Sequence, residues 1–219
     1  MSVKLISHST APQGSELDNV QDLIAYCAKV SNPNNQINKE TSEKLIKFLI
    51  KHNHWSPLEM VSVCLEIETT RDIAHQIVRH RSFAFQEFSQ RYANPEEMGD
   101  QFVTRECRLQ DTKNRQNSID TENLELIVSW DEKQQEVIDK AKEVYDWAIE
   151  NGIAKEQARV VLPEGCTKTR LYMNGSVRSW VHYIELRGAN GTQKEHMEIA
   201  HACAKVIAEI FPLAGALVE

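Results

Sequence analysis

No run of apolar residues in this chain approaches the roughly 18 that a membrane-spanning helix needs. No Gly-x-x-x-x-Gly-Lys phosphate loop, no Gly-x-Gly-x-x-Gly fingerprint and no Gly-x-Ser-x-Gly nucleophile elbow occurs. Cysteine is sparse and scattered: Cys27, Cys64, Cys107, Cys166 and Cys203 form no Cys-x-x-Cys, which argues against a disulfide framework and against a zinc ribbon. His196 and His201 stand five apart, so they point to different sides of a helix and make no metal pair; no metal is expected. The N-terminal Met1–His8 segment is too short and polar for a signal peptide, and a soluble cytoplasmic protein is expected. Basic charge is the minority charge, with 25 Lys and Arg against 32 Asp and Glu. That balance weighs against general nucleic-acid affinity, and no nucleic-acid or membrane partner is expected.

Against that acidic background, one stretch is basic. Arg79-His80-Arg81-Ser82-Phe83-Ala84-Phe85-Gln86-Glu87-Phe88-Ser89-Gln90-Arg91-Tyr92 gathers arginines, a histidine and aromatic rings. Guanidinium offers a planar fork of donors that matches phosphate or carboxylate. The interleaved rings either wall a flat ligand or fill a core. The bland reading is a helix C-terminus decorated with cations that suit the negative dipole end.

The 219 residues suit one domain, and no linker or internal repeat divides 1–219. Val3–Ile6 can open as a strand. Asn19–Val30 and Lys39–His52 carry helical apolar stripes separated by a Pro33 loop. His54 and Ser56 lie past a helix end and before Pro57, as a histidine cap and a Ser-Pro turn would. Val61–Glu68 alternates as a strand. Thr69 or Thr70 can cap the next helix, on which Gln76 and Arg79 share a face. Phe102–Leu109 reads as a strand and Lys113–Glu122 as irregular. Ser129-Trp130-Asp131-Glu132 reads as a capping box opening a long helix that Gly152 ends. Ala154–Leu162 reads as a short helix carrying Arg159, and Thr167–Met173 as a strand. Asn174-Gly175 reads as a turn, and Ser176 as the cap of a helix bearing Arg178, His182 and Arg187. Thr192-Gln193-Lys194-Glu195 reads as a capping box for a final helix ending near Phe211. The expected class is α+β: a mixed or antiparallel sheet flanked by helices, with a long helical C-terminal half.

Donors without a nucleophile suit a reaction in which the protein orients anionic ligands and a cofactor does the chemistry. Here the stretch Arg79–Tyr92 resembles the signature of flavin-dependent thymidylate synthases, Arg-His-Arg-x-x-Ser-x-x-x-x-Ser-x-Arg-Tyr. It departs once, with Ala84 at the family's first serine; the second serine is Ser89. His54-x-Ser56-Pro57, Gln76, Arg159-x-x-Leu-Pro and Asn174–Trp180 followed by Leu186-Arg187 agree as well. The resemblance implies conversion of dUMP to dTMP, with FAD as hydride carrier and NADPH and methylenetetrahydrofolate as co-substrates. It also implies a homotetramer whose sites draw on several chains. It places His54, Ser56, Arg79, His80, Arg81, Glu87, Ser176, Arg178 and His182 (often asparagine elsewhere) against FAD. It places Gln76, Arg79, Glu87, Phe88, Ser89, Gln90, Arg91, Arg159 and Arg187 against dUMP, with Arg187 polarising the uracil ring. The alternative is a nucleic-acid-binding module using Arg79–Tyr92 as a phosphate and stacking platform.

Overall fold

The computed structural model describes residues 1–217, so the last two positions of the expected 1–219 unit lie outside it. Strands run over Ser2–His8 (β1), Ser62–Thr70 (β2), Ala84–Glu87 (β3), Arg108–Gln110 (β4), Ser118–Asp120 (β5) and Lys168–Ser176 (β6). Helices run over Val20–Ala28 (α1), Ser42–Lys51 (α2), Arg71–Ile77 (α3), Leu124–Glu150 (α4), Lys155–Ala158 (α5), Val177–Gly188 (α6) and Lys194–Ala208 (α7). The main sheet has the order β1-β2-β6-β3, and every neighbouring pair is antiparallel. This is the α+β class expected from the sequence.

Alternation decides which face of the sheet is dry. Val63, Leu65 and Ile67 of β2 and Leu171 and Met173 of β6 are fully buried on one face. That face meets Ile24 of α1, Ile46 of α2, Trp180 and Ile184 of α6, and Ile199, Cys203 and Ile207 of α7. Each large apolar side chain buried this way contributes roughly 1.5–3 kcal/mol. The opposite face carries a charged ladder. Lys4 stands across from Glu66 at 3.4 Å, and Glu68 accepts from Arg170 Nε at 3.0 Å and Ser2 at 2.9 Å. Cross-strand pairs of opposite sign stabilise a sheet face that cannot be apolar.

Several expectations are corrected. Asn174-Gly175 is not a turn: both residues lie in β6 and pair with Cys64 and Val63 of β2, while Asn174 also pairs with Ala84 of β3. Pairing on both sides overrides the local turn preference. Ser129 does not start the long helix. α4 begins at Leu124, where the Asn123 side chain accepts from the Leu126 amide. α7 begins after Gln193 without a side-chain cap, and the Thr192 hydroxyl turns back to Leu186 O. Phe102–Leu109 is not a continuous strand; Phe102 makes a single bridge to Thr167, and β4 starts only at Arg108. Lys113–Glu122 is not wholly irregular, because Ser118–Asp120 pairs with β4 as a hairpin. Ala154–Leu162 divides into α5 and a 3-10 turn over Arg159–Val161.

Candidate active site

The basic stretch leaves α3 and is held in place by an aromatic ring. Phe83 lies against Gly175, where a Cβ would stand 2.4 Å from the ring's Cδ1. The same ring meets Trp180 edge-on at 4.8 Å and Tyr183 at 6.0 Å. Phe83 and Phe85 therefore serve the core rather than forming an open stacking platform. Ser179 Oγ donates to Ser82 O at 3.3 Å, tying the loop to α6. With the loop so anchored, Arg79 and Arg81 are exposed on either side of half-buried His80.

α6 supplies the facing side chains. Its N-cap is Ser176, which accepts from the Ser179 amide as expected. At its other end Arg187 Nε donates to His80 Nε2 at 2.9 Å. Burial, reinforced by the Arg187 guanidinium and by His182, pushes the His80 imidazole down to about 4. A neutral ring accepting at Nε2 carries its proton on Nδ1. Arg187 thus spends Nε on His80 and keeps both terminal nitrogens for other use. Among the described residues Arg79, Arg81, Arg159 and Arg187, and Arg115 between β4 and β5, form no ion pair, whereas Arg71, Arg91, Arg105, Arg108, Arg170 and Arg178 do. In an acidic protein, unpaired Arg79, Arg81 and Arg187 around one histidine mark a place for an anion.

Behind this pair lies His196, which the sequence suggests only as half of a metal pair that its spacing rules out. His196 is fully buried, with Nδ1 3.2 Å from Gln76 Oε1 and Nε2 3.1 Å from the Tyr183 hydroxyl. Gln76 Nε2 donates to Gln193 Oε1 at 2.8 Å. Burial, then Arg187 and His80, push the His196 imidazole down to about 3. His196 occupies the apolar stripe of Ile199, Ala200 and Cys203, and a polar residue at that helical spacing was the available signal.

Two further groups complete the expected set. His54 and Ser56 are exposed on the loop after α2, where Ser56 opens a 3-10 turn with Pro57. His52, rather than His54, caps α2. Beside this loop a cleft of about 450 Å³ is lined by Asn53, Trp55, Ser82, Arg178, His182 and Glu185. Arg178 pairs with Glu59 at 2.5 Å at the surface. On the far side of β6, Glu87 accepts from Thr169 at 2.9 Å and Arg71 at 3.3 Å, so its carboxylate is committed inside the chain. The Phe88 amide donates to Arg170 O at 2.8 Å. Ser89 and Gln90 follow; Gln90 is buried and its Nε2 meets no partner among the described residues. Arg91 pairs loosely with Glu156 of α5 at 3.3 Å, and Arg159 is half-buried one turn on.

The fold therefore brings His80 and Arg187 together directly, with Gln76 joined to buried His196 behind them, and Ser82, Arg178 and His182 around one cleft. Ser89, Gln90, Arg91 and Arg159 form a separate group. No hydrogen bond or ion pair among the described residues links that group to Arg187.

Residues 13–213 match the family model described as thymidylate synthase complementing protein. The chain is 48% identical to a probable flavin-dependent thymidylate synthase of Paramecium bursaria Chlorella virus 1 over 212 residues, 97% of this chain and 96% of that one. It is 49% identical to the flavin-dependent thymidylate synthase of a Synechocystis strain over 199 residues, 91% of this chain and 89% of that one. Its fold is similar to the crystal structure of a UMP/dUMP methylase, PolB from Streptomyces cacaoi, bound with 5-Br dUMP. There the TM-score is 0.80 at 23% identity, covering 99% of this chain and 93% of that chain. This chain belongs to the thymidylate synthase complementing protein family.

Proposed function

We infer that this protein is a flavin-dependent thymidylate synthase that converts dUMP to dTMP, with FAD as cofactor and NADPH and methylenetetrahydrofolate as co-substrates. The observation that carries this reading is Arg187, a cation held by a neutral histidine and free of any carboxylate among the described residues. Uracil C5 is a weak nucleophile, and negative charge must be drawn onto the ring before it can attack a one-carbon unit. A guanidinium beside the pyrimidine favours the N3-deprotonated, enolate-like ring. Arginine stays protonated, so it acts as charge and donor rather than as base. Burial pushes the thiols of Cys27, Cys64, Cys166 and Cys203 up, away from the thiolate a cysteine nucleophile would need.

The residues present fit FAD. The cleft beside Ser82, Arg178 and His182 offers donors next to the unpaired Arg79 and Arg81, as an anionic dinucleotide requires. His54, Ser56, His80 and Ser176 border the same region, and Glu87 would contribute only by giving up Thr169 or Arg71. FAD, when bound, supplies the hydride that completes the methyl group. Gln76, Arg79 and Arg187 would orient dUMP. The loop from Phe88 to Arg91, held at its start by the Phe88 amide on Arg170 O, would cradle the phosphate through Phe88, Ser89, Gln90 and Arg91, with Arg159 reaching in from the 3-10 turn after α5. The separation of that phosphate group from Arg187 within one chain supports a homotetramer whose sites combine several chains. A single domain over 1–219 and a cytoplasmic location complete the reading; among the described residues no helix is long and apolar enough to cross a membrane.

The test is product formation. The purified protein with FAD, NADPH, methylenetetrahydrofolate and dUMP should yield dTMP, and should yield none when NADPH or dUMP is omitted. No dTMP in the full mixture, from a protein that has taken up FAD, would overturn the reading.

A further inference from the structure

Glu195 stands in the first turn of α7 and is almost fully buried between two guanidiniums. Arg108 Nη2 donates to Oε1 at 2.6 Å, and Arg105 Nη1 stands 3.1 Å from Oε2. Burial alone would raise this carboxyl, but its own backbone amide, the Gln193 and Arg108 bonds and the Arg105 charge leave it below its ordinary value. An ionised carboxylate only accepts. Gln193, 2.9 Å away, must therefore turn its NH2 towards Glu195. Its oxygen is then left to face Gln76, which must turn its own NH2 towards Gln193. The Gln76 oxygen in turn faces His196 Nδ1, which must carry a proton. A buried imidazole beside Arg187 stays neutral, so its Nε2 accepts from the Tyr183 hydroxyl. Each orientation follows from the one before, and the chain starts at a charge that cannot reverse.

We propose that Glu195 is a positioning residue that polarises this hydrogen-bond chain in one direction. It holds His196 as the Nδ1–H tautomer and makes Gln76 present its remaining N–H as a donor towards a ligand oxygen. Amide side chains have no preferred direction of their own; without the carboxylate, Gln193 and Gln76 could both reverse. The array would then offer an acceptor where a carbonyl-bearing pyrimidine nucleotide needs a donor. The ligand part of this inference rests on the dUMP site above, whereas the tautomer does not.

The test is magic-angle-spinning 13C–15N correlation on histidine-labelled full-length protein, with His196→Asn used to assign the signal. The unprotonated nitrogen of His196 should correlate with Cδ2, marking Nε2. In Glu195→Gln that signal should split or move to the other tautomer, because a neutral amide can offer either group. Gln193→Leu cuts the chain while leaving the carboxylate between its arginines, and should have the same effect even if Glu195→Gln does not fold. Both variants should bind dUMP about five- to tenfold more weakly, as expected for one misdirected hydrogen bond, with flavin content unchanged. An Nε2–H tautomer in the native protein overturns the proposal. So does a tautomer that neither variant moves, or dUMP affinity unchanged in both. Native protein showing the stated tautomer but making no dTMP would overturn the activity proposed above, and leave the polarity of the chain standing.

Discussion

Arg187 and His80 meet at 2.9 Å, Nε to Nε2, in a geometry where the histidine must accept. The contact joins the last turn of α6 to the loop leaving α3, two elements that the fold holds together through Phe83 and Trp180. It fixes the plane of the guanidinium without neutralising it. A carboxylate in place of His80 would hold the arginine more tightly but would cancel the charge that the proposed chemistry uses.

Replacing Arg187 with alanine should lower turnover roughly a hundredfold to a thousandfold, as loss of one donor from an enclosed site does. dUMP affinity should fall much less. Steady-state kinetics with a direct binding titration separate the two. Equal loss of both, or loss of affinity alone, would contradict the role given to this residue.

Arg91→Ala should act the other way, raising the dUMP dissociation constant with little change in flavin content. Its partner Glu156 is at the surface, and exposed pairs contribute about 0–1 kcal/mol, so the melting temperature should hardly move. A colourless Arg91→Ala protein would refute this division of labour.

Gly175 admits no side chain while Phe83 stays where it is. Gly175→Ala should cost about 1–3 kcal/mol through overpacking and should displace the loop that carries Arg79 to Arg81. Thermal melting and flavin retention would both fall. A variant as stable and as yellow as the native protein would show that the ring can move freely.

Acid should destabilise the protein through His80 and His196. Their folded values of about 4 and about 3 lie below the ordinary 6.5. The unfolded chain therefore binds protons that the folded chain refuses. The contribution is complete above pH 6.5 and is lost as pH falls towards 4 and then 3. Fully buried His196 alone gives a slope of about 1.4 kcal/mol per pH unit within this window. Melting curves at pH 7 and pH 5 should differ, and His196→Asn should reduce the difference. A native melting temperature that is flat or higher at pH 5 would contradict the assignment.

Local pattern in the sequence located the elements that carry the site, and failed where pairing or burial overruled it. β2 was legible because its alternation is unbroken, and α6 because Ser176 caps it. Asn174-Gly175 misled because its turn preference is weaker than two flanking strands. β3 was hidden inside the basic stretch, whose cations suit a helix C-terminus, although Phe83 and Phe85 already alternate inward. The arginines stood out because the chain is acidic. Tyr183, Gln193 and His196 did not, because their chemistry lies in mutual orientation that only the packed helices create. The assignment of individual residues to FAD or dUMP came from the family resemblance, not from spacing.

The proposed function requires a reducible flavin that sits beside the arginines and serves the nucleotide. An anaerobic visible spectrum of the purified protein, before and after NADPH with and without dUMP, tests it most directly. The protein should be yellow, should bleach with NADPH, and should bleach faster when dUMP is present. A protein that is colourless and takes up no added FAD would contradict it.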